Sequence, residues 1–148
     1  MRTRSILGTA AAAAGLMVAA LAPGASAAEA PASAKDGQTV AAKSPTVSPS
    51  APYTYVKKGN STNCGSGNLC LAVNDPTRPD TWKVFKLYTC RTYSLSYWNG
   101  TGYYYNNQTG SRATATFYGS SGNVLKNVPI NASGQYNWSP VWKIRNCY

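Results

Sequence analysis

Short runs of alternating apolar and polar residues, separated by turn-forming residues, dominate the sequence after residue 52. Alternation with a period of two is typical of β-strands that bury one face. We predict six such strands, at residues 53–57, 69–73, 82–88, 113–118, 124–130 and 141–145. A Gly-rich connection at residues 119–122 makes the fourth and fifth strands a hairpin. Because no helix of three turns can be written here, we predict an all-β domain, a small sandwich or barrel with Greek-key connections.

The segment from Trp98 to Tyr118 is the most distinctive part of this pattern. Three glycines and three asparagines surround the run Tyr103, Tyr104 and Tyr105, and both residue types reach positive φ at low steric cost. We therefore predict two sharp corners around one short extended piece. Alternate residues of a strand point to opposite sides, so Tyr103 and Tyr105 should share one face and Tyr104 the other. Trp98 and at least one tyrosine should be structural, and the exposed rings form a candidate binding platform.

Three finer predictions concern individual segments. Residues 53–57 are predicted to be an edge strand, and residues 131–138 are predicted to be a loop. In the strand at 141–145, alternation places Trp142 and Ile144 on one face.

The first 52 residues have a different character. Residues 1–27 combine Arg2 and Arg4 with an alanine-rich apolar run and a small-residue cleavage site, the pattern of a secretory signal peptide. Residues 28–52 are rich in Ala, Ser and Pro and contain no aromatic residue, so we predict a disordered leader or linker. These features predict an extracellular protein with no membrane span.

All tryptophans, tyrosines, phenylalanines and cysteines fall within residues 53–148, which we interpret as one domain. This domain contains ten Lys and Arg against two Asp, a balance of +8. Such a charge attracts polyanions in a salt-dependent way. The cations are scattered and no recognition helix is predicted, so we expect no specific nucleic-acid binding.

The four cysteines are an even set in a small secreted domain, which favours two disulfides among three alternative pairings. We favour Cys64–Cys70, which would close a Gly-rich loop, and Cys90–Cys147, which would tie the last strand to the middle of the chain.

The residues that most catalytic sites need are scarce. The chain has no His, and the domain has no Glu, so Asp75 and Asp80 are its only carboxylate side chains. We interpret them as solvated loop acids rather than a glycosidase pair. No spacing suits a metal site either. We therefore expect a non-enzymatic protein without a cofactor or metal.

Three stretches of the domain carry a resemblance to a known family. They are the opening Cys64-Gly65-Ser66-Gly67-Asn68-Leu69-Cys70-Leu71, the segment ending in Trp98-Asn99, and the corner Asn106-Asn107-Gln108-Thr109-Gly110. With them, the domain resembles the actinobacterial secreted peptidase-inhibitor family with a βγ-crystallin-like fold, whose founding members inhibit metalloproteinases. The resemblance implies a Greek-key sandwich stapled by disulfides and an extracellular protease, for example a metalloprotease, as partner.

The chain departs from that family in two respects. Many βγ-crystallin motifs bind calcium, but the matching stretch at residues 99–104 has glycine and tyrosines at ligand positions, so we expect no calcium site. The founding inhibitors also carry a cysteine-bounded reactive loop late in the domain, and only Cys147 is present there.

Our leading hypothesis is a monomeric inhibitor that occludes a protease through a rigid loop. The candidate loops are residues 74–81, with Asp75, Arg78 and Asp80, and residues 131–139. The alternative is a binding module for envelope polysaccharide or anionic polymer, with Trp98 and the three tyrosines or the basic surface as its binding site.

Overall fold

The computed structural model describes residues 41–147, and within this range the chain forms ten β-strands and no helix. The all-β prediction is confirmed. The strands are, in chain order, β1 (Thr46–Ser48), β2 (Tyr53–Lys57), β3 (Asn68–Asn74), β4 (Thr81–Leu87), β5 (Arg91–Ser96), β6 (Thr101–Asn107), β7 (Thr114–Tyr118), β8 (Val124–Pro129), β9 (Ser133–Asn137) and β10 (Lys143–Cys147).

The strands form two antiparallel sheets of five strands each. The first sheet has the order β1-β5-β10-β7-β8, and the second has the order β2-β4-β3-β6-β9. Among these ten strands, only β3–β4 and β7–β8 are neighbours both in the chain and in a sheet. Most of the other connections cross from one sheet to the other, so the backbone itself links the two layers.

Apolar side chains from both sheets meet in one core. At its centre lies Trp138, which is fully buried and has its ring centroid 5.3 Å from those of Trp98 and Phe117. The indole Nε1 of Trp138 donates a hydrogen bond of 2.9 Å to the carbonyl oxygen of Ala72. This bond satisfies the one polar group of a large apolar side chain, as a buried tryptophan requires.

The predicted strands and their faces agree with the structure at most positions. The strand at 53–57 is β2, at the edge of the second sheet, and the predicted hairpin is β7 and β8. In β3, Leu69, Leu71 and Val73 enter the core, whereas Cys70 and Ala72 lie in a small cluster on the opposite face.

Both favoured disulfides, Cys64–Cys70 and Cys90–Cys147, are present. The first holds the loop before β3 against the second sheet, where Asn107 Nδ2 also donates to the Cys64 carbonyl at 2.7 Å. The second joins the end of β10 to the residue before β5.

Two predictions near the C-terminus are wrong. Residues 131–138 were predicted to be a loop, but β9 occupies most of them and pairs with β6. Its sequence, Ser-Gly-Gln-Tyr-Asn, contains no β-branched residue, so only the pairing with β6 makes it a strand. Trp142 does not share the buried face of Ile144. Strand β10 begins at Lys143, two residues later than predicted, so Trp142 lies before the strand and its side chain is 57% exposed.

The prediction of disorder for residues 28–52 is wrong for the part that the structure describes. Strand β1 lies inside this stretch and pairs with β5, with Val47 opposite Leu95. Pro45 is buried, and the indole Nε1 of Trp98 donates to the Thr46 carbonyl at 2.9 Å. The core domain thus supplies the ordering contacts that the segment lacks in its own composition. The predicted signal peptide at 1–27 and residues 28–40 lie outside the described residues.

Candidate functional site

The connection between β3 and β4 consists of Asp75, which is buried, and of the exposed residues 76–80, which we call the crest. Residues 76–80 are all exposed, and two successive turns shape the crest. Arg78 N donates to the Asp75 carbonyl at 3.0 Å, and Thr81 N donates to the Arg78 carbonyl at 3.4 Å. Pro76 and Pro79 restrict φ on either side of the crest, which reduces its freedom further.

The anchor of this crest is Asp75, and its environment corrects the sequence interpretation. The residue was expected to be a solvated loop acid, but it is fully buried. Its carboxylate accepts hydrogen bonds from the hydroxyls of Ser44 and Tyr55 and from both the backbone N and the hydroxyl of Thr77. The last three measure 2.9, 2.9 and 2.7 Å. Asp75 therefore joins the crest to β2 and to the N-terminal segment.

These bonds determine the protonation of Asp75. Burial raises the pKa of the carboxyl group, but the hydrogen bonds from Ser44, Thr77 and Tyr55 outweigh burial and lower the pKa from 3.8 to about 2. The group is consequently ionised at neutral pH. Two of the four hydrogen bonds to this buried anion come from Thr77, so they restrain the first half of the crest against rearrangement.

A buried lysine lies next to this anion. Lys83 is 5% exposed, and its Nζ donates to Ser44 Oγ at 2.9 Å and to the Pro45 carbonyl at 2.8 Å. The ammonium also lies 4.2 Å from the ring centroid of Tyr53. Burial lowers the pKa of Lys83, while the charge of Asp75 opposes that shift. Ser44 bridges the two charges, so the N-terminal segment completes a polar cluster that the sequence analysis did not foresee.

Arg78 and Asp80 have different roles on the crest itself. Arg78 is exposed, and its guanidinium carbon lies 4.3 Å from the ring centroid of Tyr55. Asp80 is exposed as well, with φ at 63°, and its carbonyl accepts a hydrogen bond of 2.8 Å from Lys58 N. The crest thus presents one cation, one anion and two prolines on a preformed surface. Such a surface suits binding to another macromolecule.

The structure separates the predicted aromatic platform into core and surface. Trp98 is 5% exposed and stacks on Phe85, and Tyr104 is 8% exposed, so neither ring is available for binding. Tyr103 and Tyr105 are 45% and 38% exposed on the outer face of the second sheet. The predicted alternation is confirmed, whereas the assignment of Trp98 and Tyr104 as binding residues is wrong.

A tryptophan that the sequence analysis did not select completes the exposed platform. The Trp82 ring lies edge-on to Tyr103 at 5.4 Å between centroids, and Lys58 Nζ lies 5.1 Å from the Trp82 ring. We call Trp82, Tyr103 and Tyr105 the aromatic face. The alternation within 82–88 contained a signal for it, since Phe85 points inward and Trp82 therefore points outward.

Two further features were sought among residues 41–147, a cluster of metal-ligating side chains and a membrane-spanning helix. In this range, no three His, Cys, Asp or Glu side chains come together as metal ligands do. The same residues include no helix that is long and apolar enough to cross a membrane. Comparison with known proteins finds no matching family model, curated protein or solved structure.

Proposed function

We propose that this chain is a secreted, non-enzymatic inhibitor that occludes an extracellular protease with the crest at residues 76–80. The proposal extends to the fold: a βγ-crystallin-like, Greek-key arrangement of the two sheets, as in the peptidase-inhibitor family that the sequence motifs resemble. The signal-like N-terminus and the two disulfides support secretion, because disulfides persist in oxidising compartments.

The observation that carries the proposal is the buried Asp75 carboxylate with its four hydrogen bonds. An inhibitor loop must keep its shape when bound, since ordering a flexible loop reduces affinity. Asp75 provides this rigidity from inside the domain. The exposed residues of the crest are left free to contact a partner.

The shape of the crest indicates occlusion rather than substrate-like insertion. An extended peptide binds a groove or sheet edge through a row of backbone hydrogen bonds. The crest is folded into two turns, and straightening it would remove donors from the buried Asp75 carboxylate. We therefore expect the crest to block access to a protease active site and to resist cleavage.

Of the two loops selected from the sequence, residues 74–81 are the better candidate. Most of residues 131–139 form β9, and its backbone is paired with β6. A partner would have to disturb the second sheet to use that segment in a loop conformation. The crest requires no such change.

The proposal is tested by titrating the oxidised full chain against extracellular metalloproteases and serine proteases, with residual activity and integrity of the chain as readouts. We expect near-stoichiometric inhibition with the chain intact. Arg78→Ala should weaken inhibition roughly 30-fold, the effect of losing an arginine hot spot. Arg145→Ala, at an exposed arginine on β10, is the matched control and should leave inhibition unchanged. Digestion of the chain, or equal inhibition by both variants, would refute the crest as the inhibitory site.

The aromatic face supports a second candidate function, the binding of a neutral polysaccharide. Trp82 lies on β4, and Tyr103 and Tyr105 lie on β6, the two strands that flank β3. Such rings stack on the apolar faces of sugars. Affinity electrophoresis in gels that contain envelope polysaccharide should show retardation that the double variant Tyr103→Ala/Tyr105→Ala removes. Tyr88→Ala, at a tyrosine that is 69% exposed elsewhere, is the control. Unchanged mobility in every polysaccharide would argue against this function.

A further inference from the structure

The outer face of the first sheet carries mostly polar side chains. In β5, β7 and β10, buried and more exposed residues alternate, so the outward positions follow from the strand register. Lys143 lies opposite both Ser94 and Tyr118, and Arg145 lies opposite both Thr92 and Thr116. Residues directly opposite in an antiparallel pair share one side of the sheet.

Hydroxyl, amide and cationic side chains occupy most of these outward positions, and Val124, Pro129 and Cys147 are the exceptions. We call this surface the hydroxyl face, and it comprises Thr46, Ser48, Thr92, Ser94, Ser96, Arg112, Thr114, Thr116, Tyr118, Asn127, Lys143 and Arg145. It contrasts with the outer side of the second sheet, where the aromatic face lies together with the small apolar cluster of Cys70, Ala72 and Val84.

The cations of the hydroxyl face have few possible partners, a property that they share with Lys57, Lys86 and Arg91. Asp75 and Asp80 carry the only carboxylate side chains of residues 41–147, and both belong to the β3–β4 connection of the second sheet. Several other cations rest on aromatic rings, as Lys83 does on Tyr53 and Lys126 on Tyr104. Within the described residues, no such ring contact involves Arg112, Lys143 or Arg145. Among residues 41–147, the cations that contact a ring are Lys43, Lys58, Arg78, Lys83 and Lys126.

Two of these cations line a common depression. It measures about 490 Å³, and its lining consists of Arg112, Thr114, Thr116, Tyr118, Arg145 and Cys147. Guanidinium groups bind phosphate oxygens through paired, charge-assisted hydrogen bonds. The Thr114 hydroxyl beside them can donate to an anion, whereas the Thr116 hydroxyl donates to Asn127 Oδ1 at 3.1 Å and can accept a bond from a hydroxyl group of the ligand.

We propose that the hydroxyl face binds a polyol-phosphate polymer, a flexible chain of hydroxylated units joined by phosphodiesters. Arg112 and Arg145 hold one phosphate in the depression. Lys143, about 7 Å from Arg145 along β10, meets a further phosphate. The rows of Ser and Thr side chains bind the hydroxyl groups between the phosphates.

The composition of the face favours this ligand over two other polyanions. Only three of its twelve residues are cations, which suits a polymer with one charge per repeat and polar groups between charges. A heavily sulfated glycan would be matched by a dense cationic cluster. Single-stranded nucleic acid is usually held by several stacked aromatic side chains, whereas Tyr118 is the single aromatic residue among the twelve of this face.

The test measures the affinity of the oxidised full chain for poly(glycerol phosphate) at two salt concentrations. The double variant Arg112→Gln/Arg145→Gln should weaken binding at least tenfold. It should also reduce the slope of log affinity against log salt by about 0.7, the value for one phosphate contact on a flexible polyanion. The control is Lys57→Gln/Lys86→Gln, which removes the same charge from the second sheet and should change affinity less than threefold. Thermal unfolding of both variants confirms that they remain folded.

Three results would overturn the proposal. Equal weakening by the two double variants would show that the net charge alone attracts the polymer. Tighter binding of single-stranded DNA or dextran sulfate than of poly(glycerol phosphate) would assign the face to another polyanion. If the chain did not bind poly(glycerol phosphate) at low salt, the proposed polymer site would be excluded. The inhibition assay is independent of this test, because the crest belongs to the other sheet and Arg112→Gln/Arg145→Gln leaves it intact.

Discussion

Replacing Asp75 with Asn tests the idea that one buried carboxylate holds the crest and the N-terminal segment together. The substitution preserves the size of the side chain but removes its charge. It also turns one acceptor into a donor. Because Ser44, Tyr55 and Thr77 all donate to Asp75, the new amide group must face at least one of these donors. Asp75→Asn should therefore lower stability without creating a cavity.

The size of the effect follows from the pKa of Asp75. The hydrogen bonds lower this pKa from 3.8 to about 2, which corresponds to at most about 2 kcal/mol of folding free energy, since solvent near the loop screens part of it. A lowered carboxyl pKa stabilises the fold above the unfolded-state value and ceases to do so as pH falls through the folded-state value. The wild-type protein should thus lose up to about 2 kcal/mol between pH 5 and pH 2 because of this group.

Urea denaturation followed by tryptophan fluorescence measures this loss, because Trp98 and Trp138 are buried. At pH 7 we expect Asp75→Asn to be about 2–3 kcal/mol less stable than the wild type. At pH 2 the difference should shrink to about 1 kcal/mol. Asp80→Asn, at the exposed acid of the same loop, is the matched control. Parallel pH profiles for Asp75→Asn and the wild type would refute the reasoning.

Three further predictions concern the scaffold. Replacing Cys90 and Cys147 by Ala should lower the free energy of unfolding by about 4 kcal/mol, whereas replacing Cys64 and Cys70 should lower it by about 2 kcal/mol. The difference arises because the first disulfide joins residues 57 positions apart and the second joins residues 6 positions apart. Equal losses in urea denaturation would contradict this loop-entropy argument. Gly102→Ala should cost about 3 kcal/mol or more, because its Cβ would collide with the Trp138 indole; an unchanged melting temperature would exclude that collision. Lys83→Met removes both hydrogen bonds from Lys83 to the N-terminal segment. Limited proteolysis should therefore cleave near residues 41–48 faster in this variant than in the wild type. An equal rate of cleavage would show that the pairing of β1 alone holds the segment.

The sequence was sufficient for the fold class and for most strands. Period-two alternation and glycine-rich corners depend on residues close together in the chain, so they identified β2, β3, β4 and the β7–β8 hairpin. The inward position of Tyr104, between exposed Tyr103 and Tyr105, follows from the same alternation. The even set of four cysteines predicted two disulfides, and the pairing favoured among the three alternatives is the one observed.

Only the tertiary structure decided which polar residues are buried and which strands exist by pairing alone. β1 and β9 have weak strand signals, and their backbones are ordered by β5 and β6. Asp75 reads as a solvated loop acid because its donors come from distant parts of the chain, Ser44 being 31 and Tyr55 being 20 residues away. Likewise, scattered cations become one surface only when β7 and β10 lie side by side. Local sequence patterns contain the period of a strand, whereas the burial of a side chain and the charges around it depend on which strands become neighbours.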